Sequence, residues 1–252
     1  MGPRVEGARR GLEAYLRALE PLVERRGAAR LPGGKKKEVS WSSPLADGPA
    51  AKGKKGRLYR LATVQDEWGL SFMKYAAAVR ERGLEMVAEA HGGSGGGGEP
   101  GRSAAGEGEA GGVSDAEAAK WLRRAAGVYA FCEAHVLPPM RHKLPAERPA
   151  EALPSCALAM QTLCLADAQF IVANHAQQKG SSPKLAASLW QGASDLYEQA
   201  SKVLKTNLGD YNHLSKRLQA YFAVNSAVAQ ARAIGCWSLA SEEAEKIGEA
   251  LT

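Results

Sequence analysis

Apolar residues recur every three or four positions along most of this chain, which is the spacing of one face of an α-helix. The longest such stripe starts at Leu61 and continues past Gly83 to Met86. It predicts a helix over 61–89, about 43 Å long at ~1.5 Å per residue. A helix of that length is typical of an extended helical array and too long for the edge of a small bundle.

Local start and stop signals divide the rest of the chain into further helices. The first stripe, from Leu12 to Val23, contains Pro21, which we expect to kink or end its helix. Ser114 opens a Ser-x-x-Glu capping box, and Ser182 places a capping serine before a proline in the first turn. The remaining stripes predict helices over about 155–178, after Asp210, and from about Ser241 to the end of the chain.

Two segments lack the helical period. Residues 30–57 form a basic loop rich in Gly, Pro and Lys, in which Val39-Ser40-Trp41 indicates a short strand and allows one β-hairpin near residues 37–45. Residues 91–113 are rich in glycine and poor in apolar side chains, so we expect a disordered insert. No Gly-Lys-Ser/Thr follows the glycines, so this insert is not interpreted as a nucleotide-binding loop.

These patterns predict an all-α fold with one short stretch of β structure. Successive helices joined by short turns pack antiparallel, so we expect a helical solenoid or extended bundle with a tetratricopeptide-like, repeat-like core. No apolar run approaches the ~20 residues of a membrane-spanning helix. The N-terminal residues lack the apolar stretch of a signal peptide. We therefore expect a cytoplasmic protein whose four cysteines are buried free thiols.

The net charge of +6 changes this picture only locally. Basic side chains concentrate in the 30–57 loop, which is either a solvated loop or a contact for an acidic membrane surface. No aromatic side chains alternate with them to stack bases, so nucleic acid is not expected as a partner. The residues assigned to this membrane contact are Lys35, Lys36, Lys37, Lys54 and Lys55.

The chain carries no motif of an enzyme. Gly-x-Ser-x-Gly, His-Glu-x-x-His and the kinase motifs are all missing, and no cofactor is expected. Asp167 interrupts an apolar run, but an acidic residue in that position more often caps or pairs with a neighbouring helix, or faces solvent. Cys132 and His135 are three apart on a helix, yet no second pair stands at ligand spacing, so no metal site is predicted.

From Asp115 to Leu251 the sequence resembles the Bro-one domain family, especially its short plant or algal endosomal forms. The early strand at Val39-Ser40-Trp41 and the helix from Leu61 fit the family more loosely. The residues that carry the resemblance are Ala125-Ala126-Gly127-Val128-Tyr129, Val136-Leu137-Pro138, Leu163-Cys164-Leu165-Ala166-Asp167-Ala168-Gln169, Lys184-Leu185-Ala186 and Leu214-Ser215-Lys216.

The resemblance implies an elongated, curved helical domain that is recruited to endosomes. The missing enzyme motifs lead us to expect an adaptor and not an enzyme. The resemblance also implies that the partner is the C-terminal amphipathic helix of an ESCRT-III subunit, which docks in a groove at Val172, Leu185 and Leu189. Leu185 and Leu189 are i, i+4 neighbours, which suits a groove wall but equally suits two core residues. The alternative function is a helical-repeat scaffold for another signalling or cytoskeletal partner.

Family domains are longer than this chain. The resemblance therefore implies a single partial domain over 1–252 that lacks part of the N-terminal region and the closing helices. In the family those closing helices contribute a further groove residue. The helical fold is also predicted by the spacing of apolar residues, whereas partner binding is expected from the resemblance alone.

Overall fold

The computed structural model describes most of the chain, in segments separated by gaps. The predicted 91–113 insert and most of the 30–57 loop, including all the lysines assigned to the membrane contact, lie outside the described residues. The described residues are 2–26, 39–46, 58–61, 63–92, 114–144, 146–211 and 214–250.

Six long α-helices account for most of these residues, which confirms the all-α prediction. Short π and 3-10 segments follow the third helix, at Cys132–Val136, Pro138–Lys143 and Ala150–Ala152. The named elements in chain order are α1 (Gly2–Arg26), β1 (Val39–Ser42), β2 (Leu58–Leu61), α2 (Val64–Gly92), α3 (Asp115–Phe131), α4 (Pro154–Gln178), α5 (Pro183–Thr206) and α6 (Lys216–Ala250).

The β structure is a two-stranded antiparallel sheet, but the hairpin predicted within 37–45 is wrong in its second strand. β1 pairs with β2, with Val39 opposite Leu61 and Ser42 opposite Leu58. Within β2 the exposure alternates as in a strand, since Leu58 is exposed whereas Tyr59 is buried. The long helix therefore starts after β2 and not at Leu61.

Hydrogen bonds at Thr63 explain where α2 begins. The Thr63 hydroxyl accepts a hydrogen bond from the backbone N–H of Asp66 at 3.0 Å, and the Asp66 carboxylate accepts one from the Thr63 N–H at 3.2 Å. This reciprocal pair is a capping box, so the helix proper starts at Val64. The apolar stripe alone did not reveal this boundary.

Two helix starts agree with their sequence signals. The Ser114 hydroxyl accepts from the Glu117 N–H at 3.2 Å and caps α3, and the Ser182 hydroxyl accepts from the Leu185 N–H at 3.4 Å and caps α5. Each bond satisfies a backbone donor that has no partner inside the helix.

Of the two outcomes expected at Pro21, a kink or an end of the helix, the end is excluded, because α1 continues to Arg26. The helix start predicted at Ser241 is wrong. α6 runs unbroken through Ser241, whose hydroxyl donates to the Trp237 carbonyl one turn earlier within the helix and caps nothing.

Each helix packs mainly against its neighbours in sequence, so the six helices form a serial array. The core is continuous through α2, α3, α4 and α5, and all four cysteines are buried free thiols, as predicted. α4 is long and apolar enough to cross a membrane, with a mean hydropathy of 1.5 in its most apolar stretch. However, 67% of that stretch is buried between other helices, which is the environment of a core helix.

Candidate partner-binding groove

One face of α5 carries apolar side chains along three turns. Leu185, Leu189, Gly192 and Leu196 are spaced by four, three and four residues, so they lie along a single stripe. Leu185 is 51% exposed, whereas Leu189 and Leu196 are half-buried and contact the core. The sequence left open whether the two leucines form a groove wall or belong to the core. In the structure Leu185 lies at the surface, and Leu189 lies between surface and core.

A matching stripe lies on α4. Leu165, Gln169 and Val172 are spaced by four and three residues, and each is half-buried. Between these side chains and Leu196 there is a depression of about 190 Å³. Its lining residues are Arg123, Leu165, Ala168, Gln169, Val172 and Leu196.

Gln169 joins the two stripes. Its side-chain amide donates to the backbone carbonyl of Leu189 at 3.2 Å, which links α4 to α5 at mid-length. Gly192 lies beside this bond, and a Cβ there would be in ordinary van der Waals contact with Gln169 Nε2, at 3.6 Å. Of the predicted contact residues, Val172 lines the depression, whereas Leu185 and Leu189 are not among its lining residues. The link to Leu189 is the hydrogen bond from Gln169 to its backbone carbonyl.

We use the name α4–α5 groove for the depression together with the α5 stripe that continues from Leu196 through Leu189 to Leu185, beyond the residues that line the depression. Its walls are apolar, and Arg123 from α3 is the charged side chain among those lining the depression. Apolar walls with a few polar groups are typical of grooves that bind an amphipathic helix. Sequence reasoning missed Gln169 and Leu196, although both fall on the helical spacing that starts from Val172 and Leu189.

A buried polar network lies directly behind the groove. The Arg80 guanidinium on α2 donates to Asp167 Oδ2 on α4 at 2.7 Å from Nη2 and 3.0 Å from Nε. The hydroxyls of Tyr197 on α5 and Tyr221 on α6 donate to Asp167 Oδ1 at 2.8 and 3.0 Å. Asp167 therefore pairs with neighbouring helices, which was one of the roles expected for it, and connects α2, α4, α5 and α6.

Burial and charge keep the two tyrosine hydroxyls of this network protonated. Burial raises the pKa of Tyr197 and of Tyr221, and the Asp167 carboxylate adds to that rise, so both hydroxyls stay donors. Burial works to lower the pKa of the Arg80 guanidinium, but the Asp167 carboxylate together with the neighbouring Cys164 and Tyr221 side chains outweighs it, and the pKa is raised. Both oxygens of the Asp167 carboxylate accept hydrogen bonds within the network.

The described residues contain no group of three His, Cys, Asp or Glu side chains arranged for a metal ion. Cys132 is fully buried and His135 is exposed, so this pair, three residues apart, does not converge on one site. Burial also raises the pKa of the Cys132 thiol to about 12, which disfavours the thiolate that a metal would require.

Comparison with known proteins places this arrangement in a family. The sequence profile of the BRO1-like domain matches residues 104–252, which contain the whole α4–α5 groove. No curated protein matches the chain as a whole.

Two solved structures share the fold. The chain resembles the structure described as the ALIX BRO1 CHMP4C complex, with a TM-score of 0.65 and 19% sequence identity over 97% of this chain and 59% of that one. It resembles ALIX in complex with the SIVmac239 PYKEVTEDL late domain with the same TM-score and identity, over 97% of this chain and 30% of the other. This chain therefore spans 59% and 30% of the length of these two chains.

Proposed function

The chain belongs to the BRO1-like domain family, and from that membership we propose that it is a non-catalytic adaptor whose α4–α5 groove binds the C-terminal amphipathic helix of an ESCRT-III subunit. It acts in the cytoplasm and is recruited peripherally to endosomes for multivesicular-body sorting. The contact residues are Val172, Leu185 and Leu189.

The observation that carries the proposal is the exposure of Leu185 at one end of an apolar groove. Its side chain is 51% exposed although the neighbouring Ala186 and Ala187 are buried. An exposed leucine continuous with the half-buried Leu189 offers an anchor that a partner helix can cover. Burying such a side chain contributes about 1.5–3 kcal/mol to binding.

The structural neighbours support the choice of partner. One of them contains CHMP4C, an ESCRT-III subunit, bound to a BRO1 domain. At 19% identity that likeness concerns the fold, so the partner of this chain is inferred from the groove together with family membership.

Leu185→Asp tests the proposal directly. A carboxylate in the apolar contact should weaken binding of a CHMP4C C-terminal peptide at least about tenfold, because the charge loses its hydration on docking. Calorimetry or fluorescence anisotropy would measure the affinity. Circular dichroism should show an unchanged helix content, since the Leu185 side chain lies at the surface.

Leu208→Asp is the matched control, because Leu208 is 46% exposed and lies beyond the other end of α5. It should bind the peptide like the wild type. If the wild type fails to bind at high micromolar concentration while remaining folded, the scaffold alternative for another partner replaces this proposal. If Leu185→Asp binds as tightly as the wild type, the groove assignment is wrong.

A further inference from the structure

A segment after β1 connects the two-stranded sheet to the start of α6. The carbonyl of Leu45 in this segment accepts a hydrogen bond from the Ser215 N–H at 2.7 Å. Ala46, the next residue, pairs with Leu214 in an isolated β-bridge. We call residues 39–46 the strap, because this stretch joins β1 to the residues just before α6.

A serine near the middle of the strap contacts a buried acid. The Ser43 hydroxyl lies 2.8 and 2.7 Å from Oε1 and Oε2 of Glu151, so it donates a hydrogen bond to that carboxylate. Glu151 belongs to the short 3-10 segment Ala150–Ala152 and is only 4% exposed. Burial raises the pKa of Glu151, and the hydrogen bond from Ser43 works against that rise. This contact therefore holds the strap and stabilises a buried carboxylate at the same time.

The rest of the strap is held by a small sheet and two apolar side chains. β1 pairs with β2 in a sheet of two strands, and a sheet of that size is only marginally stable by itself. Trp41 packs against a cluster of two buried residues, and Leu45 packs against the main core. Ser43 is half-buried between the exposed Ser42 and Pro44. We therefore expect the strap to open locally while the helices stay folded.

The local sequence at Ser43 suits a protein kinase. Pro44 follows Ser43 directly, and a serine before a proline is the site that proline-directed serine/threonine kinases recognise. Such a kinase transfers the γ-phosphoryl group of ATP to the serine hydroxyl. The bond from Oγ to phosphorus forms, the bond from the γ-phosphorus to ADP breaks, and the hydroxyl proton passes to the catalytic aspartate of the kinase.

A phosphate does not fit where the Ser43 hydroxyl lies. The Ser43 Oγ is within 2.8 Å of both Glu151 oxygens, which leaves no room for a phosphorus atom and three further oxygens. Phosphorylation also replaces the donor by a group that carries a charge of about −1.5 to −2 and supplies acceptors. Like charges repel, so the phosphate must move away from the Glu151 carboxylate.

We propose that Ser43 is a phosphorylation site for a proline-directed kinase, and that its phosphorylation releases the strap from Glu151 and from Ser215. Ser182 is the other serine in the sequence that precedes a proline. Its hydroxyl accepts a hydrogen bond from the Leu185 N–H at the start of α5, and a phosphate at a helix start can accept from the same donor. A phosphate on Ser182 should therefore leave the strap in place.

Incubating the full chain with a mitogen-activated protein kinase and ATP tests the modification. Tandem mass spectrometry should locate a phosphate on Ser43 and none on the adjacent Ser42. Pro44→Ala should slow the phosphorylation of Ser43 at least about tenfold, because the kinase selects its substrate by that proline. A kinase that leaves Ser43 unmodified overturns the proposal.

Hydrogen exchange measured by NMR tests the release of the strap. Phosphorylation should speed exchange of the Ser215 amide proton at least about tenfold, because that N–H loses the Leu45 carbonyl as its acceptor. Ser43→Glu should also speed this exchange. Ser42→Glu places the same charge on the neighbouring exposed residue and is the matched control, which should exchange like the wild type.

Glu151→Ala identifies the cause of the release. It removes the same two hydrogen bonds, so it should speed Ser215 exchange without the kinase, and phosphorylation of this variant should add less than about twofold. If phosphorylation leaves Ser215 exchange unchanged, or speeds it equally in the wild type and in Glu151→Ala, the release mechanism is wrong. If Glu151→Ala fails to fold, equal exchange in Ser42→Glu and Ser43→Glu overturns it.

Discussion

At the scale of single residues, the Asp167 network is the most constrained feature of the molecule. Removing the Arg80 and Asp167 charges from water costs several kcal/mol per ion, which four hydrogen bonds to the two carboxylate oxygens offset. Because those bonds come from three different helices, they fix the rotation of α4. That rotation turns Gln169 and Val172 toward the groove.

Asp167→Ala should lower the free energy of unfolding by about 3–5 kcal/mol, because it leaves the Arg80 charge buried without its partner. Urea denaturation followed by circular dichroism measures the change. Asp195→Ala is the control, since Asp195 is exposed and bonded only to Gln191 on its own helix, and its effect should stay within about 0.5 kcal/mol. A loss below about 1 kcal/mol for Asp167→Ala would contradict the structural role assigned to the network.

The sequence pointed to Asp167 because an acidic residue interrupts an apolar run, but it could not supply the partners. Arg80 is 87 residues away in the chain, and Tyr221 is 54 residues away on the other side. Nothing in local periodicity reports a contact between helices that are not adjacent in sequence. The pairing role was expected, whereas its geometry required the fold.

At the scale of elements, side-chain capping marks where α2, α3 and α5 begin. Ser114 and Ser182 were predicted as caps because each stands just before an apolar stripe. Thr63 was missed because Leu61 fits the stripe by spacing although it belongs to β2. Ser241 was misread because a serine inside a helix can bond to the carbonyl four residues earlier, and sequence alone does not distinguish this from capping.

The groove was partly predictable at the same scale. The i, i+4 spacing of Leu185 and Leu189 placed both on one face of α5, but spacing does not say which side of a helix faces water. The different exposure of the two leucines depends on how α5 sits against α4. The Gln169 hydrogen bond to the Leu189 carbonyl joins the two helices, and only the tertiary structure brings these residues together.

Two glycines in neighbouring helices should respond oppositely to alanine. A Cβ at Gly83 in α2 would lie 3.0 Å from Leu122 Cγ and 3.3 Å from the Ala118 carbonyl on α3, so Gly83→Ala should destabilise the fold by about 1–3 kcal/mol. Gly127→Ala in α3 meets nothing within 4 Å and should stabilise it by about 0.5–1 kcal/mol through helix propensity. Thermal unfolding of both variants measures this. Equal effects would refute the close approach of α2 and α3.

At the scale of the whole molecule, sequence reasoning succeeded with the architecture. Helical spacing alone predicted an all-α array, and the resemblance supplied the family that the profile match over 104–252 confirms. The sequence could not predict the pairing of β1 with β2. Residues 43–57 separate the two strands, and local turn signals indicate only short hairpins.

Part of the net charge of +6 lies in the basic 30–57 segment, and we propose that this segment contacts an acidic membrane surface. Changing Lys35, Lys36 and Lys37 to Gln should weaken binding to vesicles containing phosphatidylserine, and raising the salt concentration should weaken wild-type binding as well. A co-sedimentation assay measures both effects.

Changing Lys179, Lys184 and Lys202 to Gln removes the same charge from exposed positions on the helical array and is the control. If it weakens vesicle binding equally, only total charge matters. If wild-type binding is absent or insensitive to salt, the membrane contact is rejected.

The serial packing of the helices has a consequence for how the molecule unfolds. An array in which each helix contacts mainly its sequence neighbours behaves as a chain of weakly coupled units that can open one after another from an end. The hydrogen bonds from Arg80 and Tyr221 to Asp167 couple α2 to α6 across this series. Opening either helix alone would break the shared network, so α2, α4, α5 and α6 form one cooperative unit. α1 lies outside this unit, and we expect it to be the first helix to exchange its amide protons.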